Sequence, residues 1–362
     1  MSRYRIVRGT PAEHGYTFPA EWERQSATWL SWPRPEGISF PGRWHEVPSP
    51  LAAIVRAIAE RQRVAINVPN ANWERLVWEQ LAAQRVPRRR VRFFHVPTNE
   101  CWCRDHGPAF VVRRARGAAR SRARRELAVV DWGYNAWGGK YPPFADDDAV
   151  PSRLARMLDL PLFRTDVVME GGAVDFNGAG CVLTTESVLL NPNRNPGLSR
   201  RAIEEILKRW YGQERVLWLG EGIAGDDTDG HVDDLARFVG PRTIVTAVED
   251  DPRDPNHGVL RENLRRLARL RGPDGRPFEI ATLPMPRRIE RDGQRLPATY
   301  LNFLFVNGAL LVPTFGDRRT GRVALATLQR LLPRRRVIGL DCSALIWGLG
   351  AIHCLTQQQP AA

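Results

Sequence analysis

Five polar residues recur along this chain at comparable intervals, each beside a short apolar run. They are Asp105 in RDHGPAFVV, Glu170 in EGGAVDFNG, His231 in GHVDDLARFV, Asn302 in YLNFLFVNG and Cys354 in GAIHCLT, separated by 65, 61, 71 and 52 residues. Five such units would span most of the chain, as a repeat architecture does. The units share no strong sequence identity, so the spacing alone is weak evidence of repetition. It points to one closed architecture whose units each deliver a polar side chain to a common centre.

Each residue has an ordinary reading beside a chemical one. Cys354 follows His353 and precedes Thr356-Gln357-Gln358-Gln359, with Gly348 and Gly350 just upstream. A Cys there serves as a nucleophile if a base or cation lowers its pKa; the ordinary fate of a free Cys is a small buried hydrophobe. On a strand, His353 points away from Cys354 and is structural. Gly230-His231-Val232-Asp233, read as a strand, puts His231 and Asp233 on one face, where they can exchange protons and bind charge. The alternative is an acidic turn continuing Asp226-Asp227-Thr228-Asp229. Glu170 follows Val167-Val168-Met169 and precedes two glycines, where a strand ends in a turn. Asp105 sits between Arg104 and a Gly107-Pro108 turn, so an Asx-turn or a pair with Arg104 also accounts for it.

Together, one Cys, one His and three carboxylates suit a planar cation. A guanidinium presents its N–H donors as a fork and pairs bidentately with carboxylates. Two carboxylates can clamp it and align its central carbon with a thiolate, while His and the third carboxylate move protons to departing ammonia and activate water. The same set, His231, Asp233 and Glu170, could hold a metal, although no H-E-x-x-H or paired C-x-x-C occurs. Cys101-x-Cys103 with His95 and His106 is not a familiar zinc spacing. Cys181 and Cys342 read as packing residues. There is no phosphate loop, and Gly220-Glu221-Gly222 lacks the rest of a dinucleotide fingerprint.

The elements that must hold these groups alternate in type. Thr28–Trp32, Val64–Val68, Val91–Val96 and Pro108–Val112 read as strands. Leu51, Ile54, Val55 and Ile58 stripe a helix capped by Ser49 and begun at Pro50, and Trp73, Leu76, Val77 and Leu81 stripe another. Further helices are expected near 151–158, 199–211, 258–270 and 322–332, with strands at 180–183, 243–245, 303–306 and 309–312. Asn307-Gly308 between the last two marks a hairpin. Residues 113–126 read as an exposed hairpin tip or a loop insertion, and 271–294 as a loop carrying one short strand.

Composition sets the class. The chain has 362 residues, 43% hydrophobic and 26% charged, enough to bury a large core without disulfides. No run approaches a membrane span of about 18 apolar residues, and the N-terminus lacks the apolar stretch of a secretory signal, so a cytoplasmic enzyme is expected. The five cysteines suggest no disulfide framework. The formal charge is +13, and of 53 basic residues only Lys140 and Lys208 are lysines, leaving 51 arginines. Their densest runs, at 88–92, 113–125 and 334–336, are not interleaved with aromatics and read as solvated surface. An Arg-rich nucleic-acid-binding protein is the reading from another class.

The sequence resembles the agmatine deiminase family and the related bacterial-type peptidylarginine deiminases. The resemblance runs from Pro19-Ala20-Glu21-Trp22-Glu23 to Gln357-Gln358-Gln359-Pro360. It is carried by Trp102-x-Arg104-Asp105-x-Gly107-Pro108, Asp131-Trp132, Asn135-Ala136-Trp137-Gly138-Gly139-Lys140-Tyr141 and Glu170-Gly171-Gly172. Leu183-Thr184-Thr185-Glu186, Asn193-Arg194-Asn195-Pro196, Thr228-Asp229-Gly230-His231-Val232-Asp233, Tyr300-Leu301-Asn302 and Ile352-His353-Cys354 complete it. The resemblance implies an α/β fold, the pentein-type five-fold pseudosymmetric α/β propeller, as a single domain over residues 1–362. It implies Cys354 as nucleophile, His231 and Glu170 as the proton-transfer pair, and Asp105 and Asp233 as the guanidinium carboxylates. Trp102 is expected to line the substrate channel and Gly350 to approach the substrate. The implied reaction is deimination of agmatine to N-carbamoylputrescine and ammonia through a cysteine thiouronium, with no metal or organic cofactor. Peptidyl-arginine or another small guanidine is the alternative substrate. The expected partner is a small cationic guanidine, with homo-oligomer formation left open and neither membrane nor nucleic acid expected. The chain departs from the family at Leu349, where a third glycine is usual, and at Ala351, Glu100 and Tyr134, where Asn, Asp and Phe are common.

Overall fold

The computed structural model describes residues 2–114 and 125–362. It is mixed α/β, with five sheets of three or four strands and one two-residue hairpin ladder, Glu290–Arg291 with Gln294–Arg295. The five larger sheets share one plan: an antiparallel pair, then a helix leading to a strand parallel to the second.

The sequence explains the plan locally. Thr243–Val248 follows Ala236–Gly240 antiparallel, and Glu279–Pro284 joins it in parallel after the helix Pro255–Arg269. Asp254 caps that helix by accepting the Asn256 N–H, and Pro255 needs no N–H in the first turn. Leu304–Val306, Ala309–Thr314 and Arg336–Asp341 repeat the arrangement around the helix Arg318–Leu331, capped by Asp317. Asp175–Phe176, Cys181–Thr185 and Arg215–Leu219 repeat it around Arg200–Tyr211, whose Ser199 cap is matched by Gly212 in the left-handed region at its end. Ala109–Arg114, Arg125–Gly133 and Pro161–Val168 repeat it around Val150–Met157, with Arg5–Ile6 added at the edge. The last sheet joins the chain ends: Thr356–Pro360 lies antiparallel to Gln25–Ser31, which continues in parallel to Arg63–Val68 and Val91–His95. Among the described residues no ladder links these sheets into one closed sheet.

The five spaced polar residues share a position in this plan. Asp105, Glu170, His231, Asn302 and Cys354 each lie two to five residues ahead of the first strand of a sheet. The Asn307-Gly308 hairpin forms as expected.

Several local expectations are corrected. The first long helix spans Pro48–Ala59 with Val47 at its cap rather than Ser49; two prolines fit because first-turn N–H groups have no partner inside the helix. Residues 230–233 are not a strand: Gly230 has φ 104°, and Val232–Asp234 is a single 3-10 turn. Residues 351–355 form a turn instead of a strand, because Leu355 donates back to the Ala351 carbonyl and Thr356 to that of His353. Residues 271–294 carry the six-residue strand Glu279–Pro284 and half of the short hairpin. Arg113 and Arg114 pair with Glu126 and Arg125 as a hairpin, while its expected tip lies outside the described residues.

Among the described residues no helix is long and apolar enough to cross a membrane. All five cysteines are free and buried. Arg88, Arg89, Arg92, Arg334 and Arg336 are exposed, as expected of solvated runs, and Arg335 instead donates to the Val306 and Trp22 carbonyls.

Candidate active site

The one-turn helix Cys103–His106 delivers Asp105 just before its strand. Asp105 Oδ1 accepts the Gly172 N–H at 2.9 Å, and Oδ2 accepts the Trp137 indole N–H at 3.0 Å. Trp137 reaches it from a strained backbone, since Ala136 and Trp137 hold φ of 51° and 56°. Such a conformation costs roughly 1–2 kcal/mol per L-residue, and strain of this kind gathers where geometry matters. Arg104 does not pair with Asp105; it donates to Gln357 Oε1 at 2.8 Å and Gln358 Oε1 at 2.7 Å. That answers the ion-pair alternative for Asp105.

Glu170 follows the strand Pro161–Val168 and has no solvent exposure. Arg194 Nε donates to its Oε1 at 2.8 Å, and His231 Nε2 lies 3.2 Å from its Oε2. Arg194 also pairs with Asp229. Burial works against the Glu170 charge, but the hydrogen bond from His231 and the Arg194 cation outweigh it and hold this carboxyl below its usual range. His231 Nδ1 is 3.7 Å from Asp105 Oδ1. Burial opposes the imidazolium, yet Asp105, Glu170 and Asp233 push His231 up to about 10. Asp105 is raised by burial, partly offset by His231. Gly172 permits this arrangement: a Cβ there would stand 2.5 Å from His231 Nδ1.

Asp233 turns to the other side of the same site. Its Oδ2 lies 2.6 Å from His353 Nδ1, accepts from Asn302 Nδ2 at 3.3 Å and is 3.8 Å from Cys354 Sγ. Burial opposes its charge, but the hydrogen bond from His353 and the nearby cations keep Asp233 below its usual range. Asn302 Nδ2 also donates to Cys354 Sγ at 2.9 Å and to Asp234 Oδ1 at 3.0 Å. Its Oδ1 accepts the backbone N–H groups of His353 and Cys354 at 3.0 and 3.2 Å. The Cys354 thiol is pushed well above its usual range by burial and by Asp233, Asp234 and Asp105.

Asp105 and Cys354 floor a cavity of about 130 Å³, to which Trp102, Trp137, Leu349 and Gly350 add apolar walls. Trp102 is fixed by its indole N–H on Ser39 Oγ at 2.8 Å, and Glu100 accepts the Ser39 hydroxyl. Gly350 has to be glycine, because a Cβ there would run into the Trp102 ring. Leu349 stands in the left-handed region at φ 73°. Tyr141, Asp227 and Arg291 line the same cavity, with the Tyr141 hydroxyl donating to Asp227.

Every residue named from the sequence is thus within one cluster: Cys354, His231, Glu170, Asp105, Asp233, Trp102 and Gly350. The metal alternatives do not gather. Among the described residues, the group able to place three ligand atoms within 4.8 Å of one another is Asp233, Asp234 and Cys354, without His231 or Glu170. The contacts also recruit Trp137, Asn302, Arg194 and His353. Trp137, Asn302 and Arg194 lay in quoted motifs, but nothing in their spacing says which atom they meet. A strand over 351–355 would turn His353 away from Cys354; the turn found there instead brings its ring to Asp233.

The sequence pattern of the Porphyromonas-type peptidyl-arginine deiminase family matches residues 17–360. The chain is 35% identical to an agmatine deiminase of Pseudomonas fluorescens, covering 98% of both chains. It is 34% identical to an agmatine deiminase of Medicago truncatula, over 98% of this chain and 99% of that one. The agmatine deiminase of Enterococcus faecalis superposes with a TM-score of 0.90 at 31% identity, covering 99% of each chain. A substrate-bound agmatine deiminase of C. jejuni superposes with a TM-score of 0.83 at 31% identity, covering 95% of this chain and 96% of that one. With its site assembled and this likeness running nearly end to end, the chain belongs to the Porphyromonas-type peptidyl-arginine deiminase family.

Proposed function

We propose that this chain is a hydrolase of guanidine C–N bonds, and that its substrate is agmatine, converted to N-carbamoylputrescine and ammonia. The observation that carries the reading is a pair of bare buried atoms, one on the carboxylate next to the thiol and one on the imidazole next to Asp105. Asp233 Oδ1 and His231 Nδ1 are buried without a hydrogen-bond partner, in the cluster that holds Cys354. Buried polar groups are nearly always paired, so these atoms call for a polar ligand. A guanidinium satisfies the carboxylate and brings the positive charge that a crowd of acidic groups attracts.

In this reading Asp105 and Asp233 grip the guanidinium and Cys354 Sγ attacks its carbon. The arriving cation offsets the carboxylates that hold the thiol protonated, so the thiol releases its proton to solvent as the substrate seats. The S–C bond forms, His231 donates a proton to the departing nitrogen, the C–N bond breaks and ammonia leaves. Glu170 holds His231 through Nε2 in both its charged and its neutral form, so the mobile proton is the one on Nδ1. Water then attacks the thiouronium carbon and His231 takes one of its protons; the C–S bond breaks with its electron pair going to sulfur, and the remaining hydroxyl proton passes to Cys354 Sγ as the ureido product leaves, restoring the thiol. No step calls for a metal or organic cofactor. The small apolar walls of the cavity suit the methylene chain of agmatine, and Asp227 on the same wall suits its distal ammonium.

A second substrate reading has its own support. Arg291 also lines the cavity, and a guanidinium there favours a substrate whose far end carries a carboxylate, as free or C-terminal arginine does. The recurrence of one ladder plan in five sheets supports a pentein-type five-fold α/β propeller, taken as a single catalytic domain over residues 1–362. Five free, buried thiols fit a reducing compartment, and we place the enzyme in the cytoplasm.

Ammonia release from agmatine, arginine and a peptide ending in arginine tests the function, with Cys354→Ala as control. Release from agmatine that vanishes in the variant is expected. Release from arginine or the peptide alone would move the substrate, and release by Cys354→Ala would end the covalent scheme.

A further inference from the structure

One fully buried ring connects the site to the frame behind it. His353 is 1% exposed, and its two ring nitrogens face carboxylates on opposite sides. Nδ1 lies 2.6 Å from Asp233 Oδ2 and Nε2 lies 2.7 Å from Glu21 Oε2. Glu21 is itself anchored: Arg237 Nη2 donates to its Oε2 at 2.8 Å and the Phe305 N–H to its Oε1 at 2.7 Å. Arg237 is held in turn by Asp175 at 3.1 Å and by the Phe303 carbonyl at 2.9 Å. The backbone of His353 is fixed as well, by Asn302 Oδ1 at 3.0 Å.

The result is an unequal Asp233. Its Oδ2 is occupied by His353 and Asn302, whereas Oδ1 is buried with no partner. A carboxylate free to turn about its terminal bond would exchange the two oxygens, since that torsion is broad and two-fold. The contact with a ring anchored at its far side removes that freedom.

We infer that His353 is a positioning residue: its Nδ1–H takes up Asp233 Oδ2 and thereby leaves Oδ1 turned to the substrate guanidinium. The inference rests on the reading of Asp233 as a guanidinium carboxylate.

Two variants separate this role from simple packing. Asn at 353 sets an amide nitrogen near the place of Nδ1 and keeps a donor for Asp233; Gln reaches the place of Nε2 and keeps one for Glu21. His353→Asn is expected to hold the KM for agmatine within about threefold of wild type. His353→Gln is expected to raise it about 10- to 150-fold, the range of a lost hydrogen bond to a charged group, at the same thermal midpoint as His353→Asn. Equal KM values in the two, or a lower KM in His353→Gln, would overturn the inference. If neither variant folds, the imidazole N–H proton resonances of Cys354→Ala are followed as agmatine is added. A shift in the resonance of the histidine bonded to Asp233 supports the role, and its absence overturns it. A wild-type enzyme inert toward every guanidine would instead remove the reading on which the inference stands, so the two failures are distinct.

Discussion

The Cys354 sulfur lies 2.9 Å from the Asn302 amide nitrogen and 3.8 Å from Asp233 Oδ2. The first contact orients the thiol and the second discourages its ionisation. Burial and three carboxylates outweigh one neutral donor, so the resting nucleophile is a thiol rather than a thiolate.

That balance predicts the reactivity of the free enzyme. Inactivation by iodoacetamide should climb about tenfold per pH unit up to pH 9 without levelling, because only the thiolate attacks. A plateau reached below pH 8 would show a preformed thiolate. Iodoacetamide trials on Cys354→Ala separate this thiol from Cys101, Cys103, Cys181 and Cys342, all buried.

The two carboxylates proposed to clamp the guanidinium, Asp105 and Asp233, should be worth similar amounts. Asp105→Asn and Asp233→Asn each remove one charged partner of the guanidinium, a loss of about 1.5–3 kcal/mol or about 10- to 150-fold in kcat/KM. Asp341→Asn, at an exposed position, serves as control and should leave kcat/KM unchanged. Steady-state kinetics with agmatine checks this, and an unimpaired Asp105→Asn would take that residue out of the site.

The pairing of His231 with Glu170 and Asp105 gives stability a pH dependence. His231 is raised from 6.5 to about 10 in the folded chain. Its contribution is therefore complete below pH 6.5 and is lost as pH rises toward 10, at up to about 1.4 kcal/mol per pH unit for one proton. Glu170 acts at the other end, since its lowered value makes its contribution fall away in acid, below its ordinary 4.5. Thermal midpoints between pH 7 and 10 should fall more steeply for wild type than for His231→Gln. Parallel slopes would show that the imidazolium is not held this way.

Leu349 combines a strained backbone with a place on the cavity wall. Leu349→Gly relieves roughly 1–2 kcal/mol of left-handed strain, against roughly 0.5–1 kcal/mol of added chain entropy and the loss of a half-buried side chain. The midpoint should move by only a few degrees, while kcat/KM for a peptide ending in arginine rises relative to that for agmatine. An unchanged ratio would mean that this side chain does not restrict the substrate.

Much of the site was legible because its residue types are rare and specific. Cys354, His231, Asp105, Glu170 and Asp233 announced themselves by chemistry, and the spacing of four of them followed the sheet plan. The contacts of His353 were not legible, because period-two alternation does not hold in residues 351–355, where two backbone hydrogen bonds close a turn. Trp137 could not be assigned a task, since its indole reaches Asp105 only through left-handed backbone that propensity gives no reason to expect for Ala and Trp.

The sequence by itself determined the alternation of helices and strands, the set of groups able to handle a guanidinium and the family resemblance. Those features depend on side-chain periodicity and residue type, which are local properties. Tertiary structure alone decided which atoms meet: His353 with Asp233, 120 residues apart, and with Glu21, 332 apart. It thereby decided that one oxygen of Asp233 is taken and the other left bare, because hydrogen-bond partners in a buried site are set by packing between distant segments rather than by neighbours along the chain.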